Sequence, residues 1–97
     1  MTTKLQIAVI DRAWVYIGKV ETRPDGIVIR QAKCIRRWGT SKGLGQLAIE
    51  GPQQATKLDD YGTVEVPQRA VISLIDVANP AAWSAHFPAS QPATEAA

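Results

Sequence analysis

Trp14-Val15-Tyr16-Ile17-Gly18-Lys19-Val20-Glu21-Thr22-Arg23-Pro24-Asp25-Gly26-Ile27-Val28-Ile29-Arg30 decides the fold. In an extended chain successive side chains point to opposite faces. Trp14, Tyr16 and Val20 then share one face, and Ala13, Val15 and Ile17 share the other. β-branched and aromatic residues suit a pleated, half-buried surface. Arg23-Pro24-Asp25-Gly26 is a turn, because Pro presets the φ of its second position and Gly supplies a positive φ. The strand that resumes at Ile27 runs to about Trp38 and completes a hairpin. Its alternation breaks at Gln31-Ala32-Lys33, which predicts a bulge or bend there.

Upstream, Leu5, Ile7 and Val9 alternate with Gln6 and Ala8 and read as another strand, joined to the hairpin by a tight turn or bulge at Asp11-Arg12. Downstream, Leu44, Leu47 and Ala48 have helical spacing until Gly51-Pro52, so one or two helical turns are expected over 44–50. Tyr61-Gly62 reads as a turn into a short strand, Thr63–Val66, closed by Pro67. Val71–Val77 is apolar on both faces, the pattern of a central strand. Asn79-Pro80 is a helix-start signal. Trp83 and Phe87, four apart, press one face of a short C-terminal helix onto the sheet. The expected class is mainly β or α+β: a small antiparallel sheet or half-open barrel of about five strands, with one short helix after a glycine-rich loop and another near the C-terminus. Residues 1–87 form a single β-rich domain, and 88–97 read as a flexible Pro/Ala tail. So small a sheet leaves a face or edge for a second copy, so self-association is expected.

Composition narrows the function classes. The chain has 97 residues, of which 45% are apolar and 21% charged, ordinary for one folded domain. It contains no run of roughly 20 apolar residues, so no membrane partner is expected. Met1-Thr2-Thr3-Lys4-Leu5 lacks the apolar core of a secretory signal, which points to the cytoplasm. Cys34 is the single cysteine and His86 the single histidine, so a disulfide, a zinc cluster or a histidine-pair metal site is not expected. Cys34 reads as a small buried strand residue. Asp59-Asp60 read as hydrogen-bonding caps in a polar turn. No cofactor, metal or catalytic residue is assigned.

The net charge of +2 is mild, but its distribution is uneven. Between Asp25 and Glu50 no acid occurs, while Arg30, Lys33, Arg36, Arg37 and Lys42 all do. Within that stretch lies Arg36-Arg37-Trp38-Gly39-Thr40-Ser41-Lys42-Gly43-Leu44-Gly45-Gln46-Leu47-Ala48. Bare glycine backbone allows close approach, amides at a helix start favour anions, and Thr40 and Ser41 add hydroxyl donors. Arg36, Arg37 and Lys42 add positive potential, and Trp38 offers a flat face. Arg36, Arg37, Trp38, Thr40, Ser41, Lys42, Gly43 and Gly45 are therefore the candidate ligand-binding residues, for a phosphate-bearing partner. The bland alternative is a loop that merely joins strand to helix. Gly43-x-Gly45-x-x-Ala48 formally matches a dinucleotide fingerprint, but no βαβ unit surrounds it, and no Gly-Lys-Ser/Thr closes a P-loop.

Trp38-Gly39-Thr40-Ser41-x-Gly43-Leu44-Gly45-x-Leu47-Ala48, then Gly51-Pro52, Thr56-x-Leu58-Asp59 and Gly62-x-Val64-x-Val66-Pro67 with Ala70-Val71-Ile72, resembles a family of small uncharacterised phage and prophage proteins. The likeness covers roughly residues 13 to 77. It implies a viral origin and a host-cell cytoplasmic setting, and it implies no reaction. The expectation is a non-enzymatic binding module whose basic loop holds a nucleotide signal or a nucleic-acid backbone, with counter-defence as one use. The alternative is a structural or protein-interaction role, as a small virion component or an inhibitor of a host protein.

Overall fold

Five antiparallel strands form one sheet in the computed structural model, which describes residues 3–87, the side chains of Thr3 and Ala13 excepted. The strands are β1 (Thr3–Ile10), β2 (Trp14–Arg23), β3 (Gly26–Arg37), β4 (Lys57–Pro67) and β5 (Val71–Asp76), in the spatial order β4-β3-β2-β1-β5. The expected hairpin is present: Arg23 pairs with Gly26 around the Pro24-Asp25 turn, and the ladder continues to Tyr16 opposite Cys34. The expected irregularity in β3 is present too, as a register shift between Ile29 and Ala32, with Gln31 at a φ of 53°. One short helix, α1 (Leu44–Glu50), follows the glycine-rich loop.

Both faces of the sheet are buried, by different means. The alternation read in β2 holds, since Val15 and Ile17 enter one core and Tyr16 and Val20 the other. On the outer face Ile7, Val15, Ile17 and Ile35 pack beneath Leu47 and Ala48 of α1 and beneath Trp83 and Phe87. On the inner face Ala8, Val20, Ile29, Ala32 and Val66 are buried, and among the described residues no α-helix packs on them. The sheet covers that face itself. Its two edge strands, β4 and β5, are joined by only the 3-10 turn Gln68–Ala70, which draws the edges together. The Gln68 amide donates to the Asp25 carbonyl at 3.0 Å. Val71 and Leu74 of β5 line one cleft with Thr22 and Ile27 of the hairpin. The result is an open five-stranded antiparallel sheet, with residues of both edge strands in one inner core.

Three details differ from the sequence reading. β4 is eleven residues long, and Tyr61-Gly62 lies inside it. Gly62, at a φ of 76°, absorbs a register shift without ending the strand. Asp59 and Asp60 are consequently ladder residues and not turn caps. β5 is an edge strand, apolar on both faces because Ile75 serves the outer core while Val71 and Leu74 serve the inner one. The C-terminal helix is only a 3-10 turn, Pro80–Trp83, and the Asn79 side chain makes no cap bond. Trp83 and Phe87 nonetheless reach the core as expected, and the Trp83 indole N–H donates to the Leu47 carbonyl at 3.0 Å. The expected tail, 88–97, lies outside the described residues. Among the described residues no helix is long and apolar enough to cross a membrane.

Candidate functional site at the basic end of the sheet

Arg36 and Arg37 are the last residues of β3, where the register against β4 shifts between Ile35 and Arg37. The Arg36 Nε donates to Asp59 Oδ2 at 2.9 Å, with both groups exposed. Arg37 stands opposite Lys57, the first residue of β4. Both are exposed. Among the described residues neither has an acid within ion-pair distance. Like charges directly opposed across two strands are destabilising, so this pair raises the local positive potential without local relief.

The glycine-rich loop returns against the turn at 53–56. The Thr56 hydroxyl donates to the Trp38 carbonyl at 2.7 Å and accepts from the Gln53 amide at 2.8 Å. Trp38 is 42% exposed and lies close to Gly43. The loop amides are already engaged. Ser41 and Lys42 N–H donate to Gln46 Oε1 at 3.0 and 2.9 Å, and Gly43 N–H donates to Thr40 Oγ1 at 3.1 Å. Gln46 Nε2 donates in turn to Glu50 Oε1 at 3.2 Å. A carboxamide oxygen thus sits where the sequence reading placed a ligand oxygen. α1 has seven residues and no cation in its last turn.

The loop residues therefore divide by role. Thr40, Ser41, Gly43 and, through its amide, Lys42 hold the loop in shape. Gly45 lies in the first turn of α1 with open space beside it. Arg36 is committed to Asp59. Among the described residues, the groups of this region that face water without an internal partner are the Arg37 and Lys57 head groups, the Lys42 ammonium and the Trp38 indole. Lys57 is not legible in the sequence as a partner of Arg37, because it ends a polar run whose register against β3 depends on the long loop between.

The other chemical groups are placed clearly. Cys34 is buried. Burial, and secondarily the Asp59 carboxylate, push its thiol pKa up, which disfavours the nucleophilic thiolate. Asp60 pairs with Lys33, whose hydrogen bond holds the carboxyl below its ordinary value. The Lys33 ammonium also lies 5.7 Å from the Phe87 ring centre. His86 packs against the Trp83 ring at 5.9 Å and borders a shallow cleft with Lys33, Asp60 and Gly62. Among the described residues no group of three or more His, Cys, Asp or Glu is placed to hold a metal ion. Comparison of the chain with protein-family models, curated proteins and solved structures found no match.

Proposed function

We propose that this chain is a non-enzymatic binding module, of the phage or prophage origin that its sequence resemblance implies, and that its basic end holds a phosphate-bearing ligand, a nucleotide or a nucleic-acid backbone. The observation that carries this reading is the Arg37–Lys57 pair, two cations in register with no acid between them, near the half-exposed Trp38 indole. An anion seated between them relieves the repulsion and gains two charge-assisted hydrogen bonds. Guanidinium and ammonium groups together suit phosphate oxygens, and the indole suits a base or sugar face. Counter-defence, by sequestering a nucleotide signal, is one use of such a module.

The test is calorimetric titration of the protein with a panel of mono-, di- and cyclic nucleotides and short oligonucleotides at low salt. An Arg37→Ala/Lys57→Ala double variant should lose affinity about ten-fold or more, while melting no lower than the parent, because like-charge repulsion is removed. Silence of the parent across the panel, or unchanged affinity in the double variant, overturns the reading.

A second reading, a structural or protein-interaction role, is favoured by the sheet's edges. β4 and β5 each present an outer edge that pairs with no other strand among the described residues, and Ile72 on β5 is 63% exposed. Such edges accept a strand from another chain. Sedimentation should then show self-association that Ile72→Lys weakens; a monomer at all concentrations removes the self-pairing version.

A further inference from the structure

A row of three aromatic rings crosses the same end of the sheet. Trp14 and Tyr16 alternate on β2 and project from one face, their rings inclined by only 7° with centres 6.3 Å apart. Tyr61 of β4 meets Tyr16 edge-on at 5.4 Å, although β3 runs between the two strands. It can do so because β3 offers only small side chains there: Tyr16 stands opposite Cys34, and Ala32 precedes it on the same face. Tyr16 is buried in the inner core, whereas Trp14 is 48% and Tyr61 46% exposed. The row is thus anchored at its centre and wet at both ends.

We infer that this row is a base-stacking platform for single-stranded nucleic acid. The inference rests on the anion reading above and names the ligand class for that end of the molecule. Arg36 bonds Asp59, which stands opposite Cys34, itself opposite Tyr16 on β2, so the guanidinium lies at the same end of the sheet as the rings. Arg37 and its opposite, Lys57, follow directly. Arg12 is exposed in the turn preceding Trp14. Among the described residues, the acids near the row are Asp11, whose carboxylate accepts the Arg12 amide, Asp59, which is held by Arg36, and Asp60, which pairs with Lys33. Each has a partner, while Arg37 and Lys57 have no ion-pair partner among the described residues. A nucleic-acid strand presents flat π faces at intervals along a chain of negative charges, and it needs this pairing of exposed rings with cations. A duplex hides the base faces, so a single strand fits better. A second copy of this chain fits worse, since the rings come with cations that the copy would repeat.

The experiment is fluorescence anisotropy of a labelled short oligothymidylate beside an abasic strand of the same backbone. The parent should bind oligothymidylate more tightly than the abasic strand. Trp14→Ala and Tyr61→Ala should each weaken oligothymidylate binding roughly ten-fold and leave abasic binding unchanged, and Trp14→Phe should keep most of the affinity. Arg37→Ala/Lys57→Ala should weaken both strands. Equal binding of the two strands by the parent overturns the stacking platform and leaves the anion reading standing. Ring variants that bind like the parent do the same. Oligothymidylate binding that ignores Arg37→Ala/Lys57→Ala but needs the rings overturns the anion reading and keeps the platform. Failure of the parent to bind either strand, with a dimer that Trp14→Ala dissociates, overturns the platform in favour of self-association.

Discussion

Gly39 and Gly45 lie in one glycine-rich segment and are glycine for different reasons. Gly39 has a φ of 65°, and a Cβ there would stand 2.4 Å from the Ala55 carbonyl carbon and 2.5 Å from the Thr56 nitrogen. It is required for the loop to close against the 53–56 turn. Gly39→Ala should cost about 2 kcal/mol or more, from the left-handed backbone and the displaced neighbour together, measured by urea unfolding. Gly45 sits inside α1, where a Cβ would meet nothing within 4 Å, and its φ is not positive. Gly45→Ala should therefore stabilise the protein by roughly 0.5–1 kcal/mol. Any loss of ligand affinity in that variant then belongs to the ligand's approach and not to folding. Cys34 is a third case. Its burial and raised thiol pKa predict slow reaction with a thiol reagent at neutral pH, accelerated by denaturant. Prompt labelling of the folded protein contradicts the buried position.

At the scale of elements, the strands are held by paired charges as well as by ladders. Glu21 on β2 accepts from Arg23 at 3.3 Å and from Arg30 of β3 at 3.1 Å, and these hydrogen bonds hold its carboxyl below the ordinary value. Lys33 does the same for Asp60 between β3 and β4. A lowered folded-state pKa means that the folded protein binds fewer protons than the unfolded chain in the window beneath the ordinary carboxylate value. The stabilisation is therefore complete above that value and is lost as pH falls through the lowered one. Thermal melts taken from about pH 6 down to about pH 3 should show the loss, and Glu21→Gln with Asp60→Asn should flatten it. A pH dependence identical to the parent's removes these two pairs as its source. The segment after β5 is held differently, by one indole. Trp83 is fully buried and bonded to the Leu47 carbonyl, so Trp83→Ala should cost about 3–5 kcal/mol. Trp83→Phe should cost less, because Leu47 O keeps the Gly51 amide at 3.0 Å.

For the whole molecule, the organising feature is a single sheet with a core on each side. The inner core is closed by curvature, through the short turn that brings β4 and β5 toward one another. The outer core is closed by α1 and by the Trp83–Phe87 segment, so it depends on a few side chains. A chain of this length buries only about 60–65% of its unfolded surface, and its margin is correspondingly narrow. Ending the chain after Ala78 should remove the cooperative thermal transition and raise dye binding to exposed apolar surface, since Ile7, Ile17 and Ile35 lose their cover. A sharp melt at the parent's temperature in that truncation shows that the C-terminal segment is dispensable.

The local features are legible from residues alone. Period-two alternation defines which side chains of β2 face which core, Pro24-Asp25-Gly26 defines the hairpin, and the helical spacing of Leu44, Leu47 and Ala48 defines α1, because each depends on neighbours in the chain. Tertiary structure alone decided the rest. A long β4 survives Tyr61-Gly62 because ladder bonds to β3 outweigh a local turn preference. β5 is apolar on both faces although it is an edge, because a curled sheet has buried faces without a central position. The candidate site shows the same division. The basic, glycine-rich stretch is visible in the sequence, but pairing across β3 and β4 determines that Asp59 neutralises Arg36 and that Lys57 joins Arg37. Folding of the loop likewise turns its amides toward Gln46. Local geometry is written in short-range sterics, whereas the fate of each charge depends on which distant residue the ladder sets opposite it.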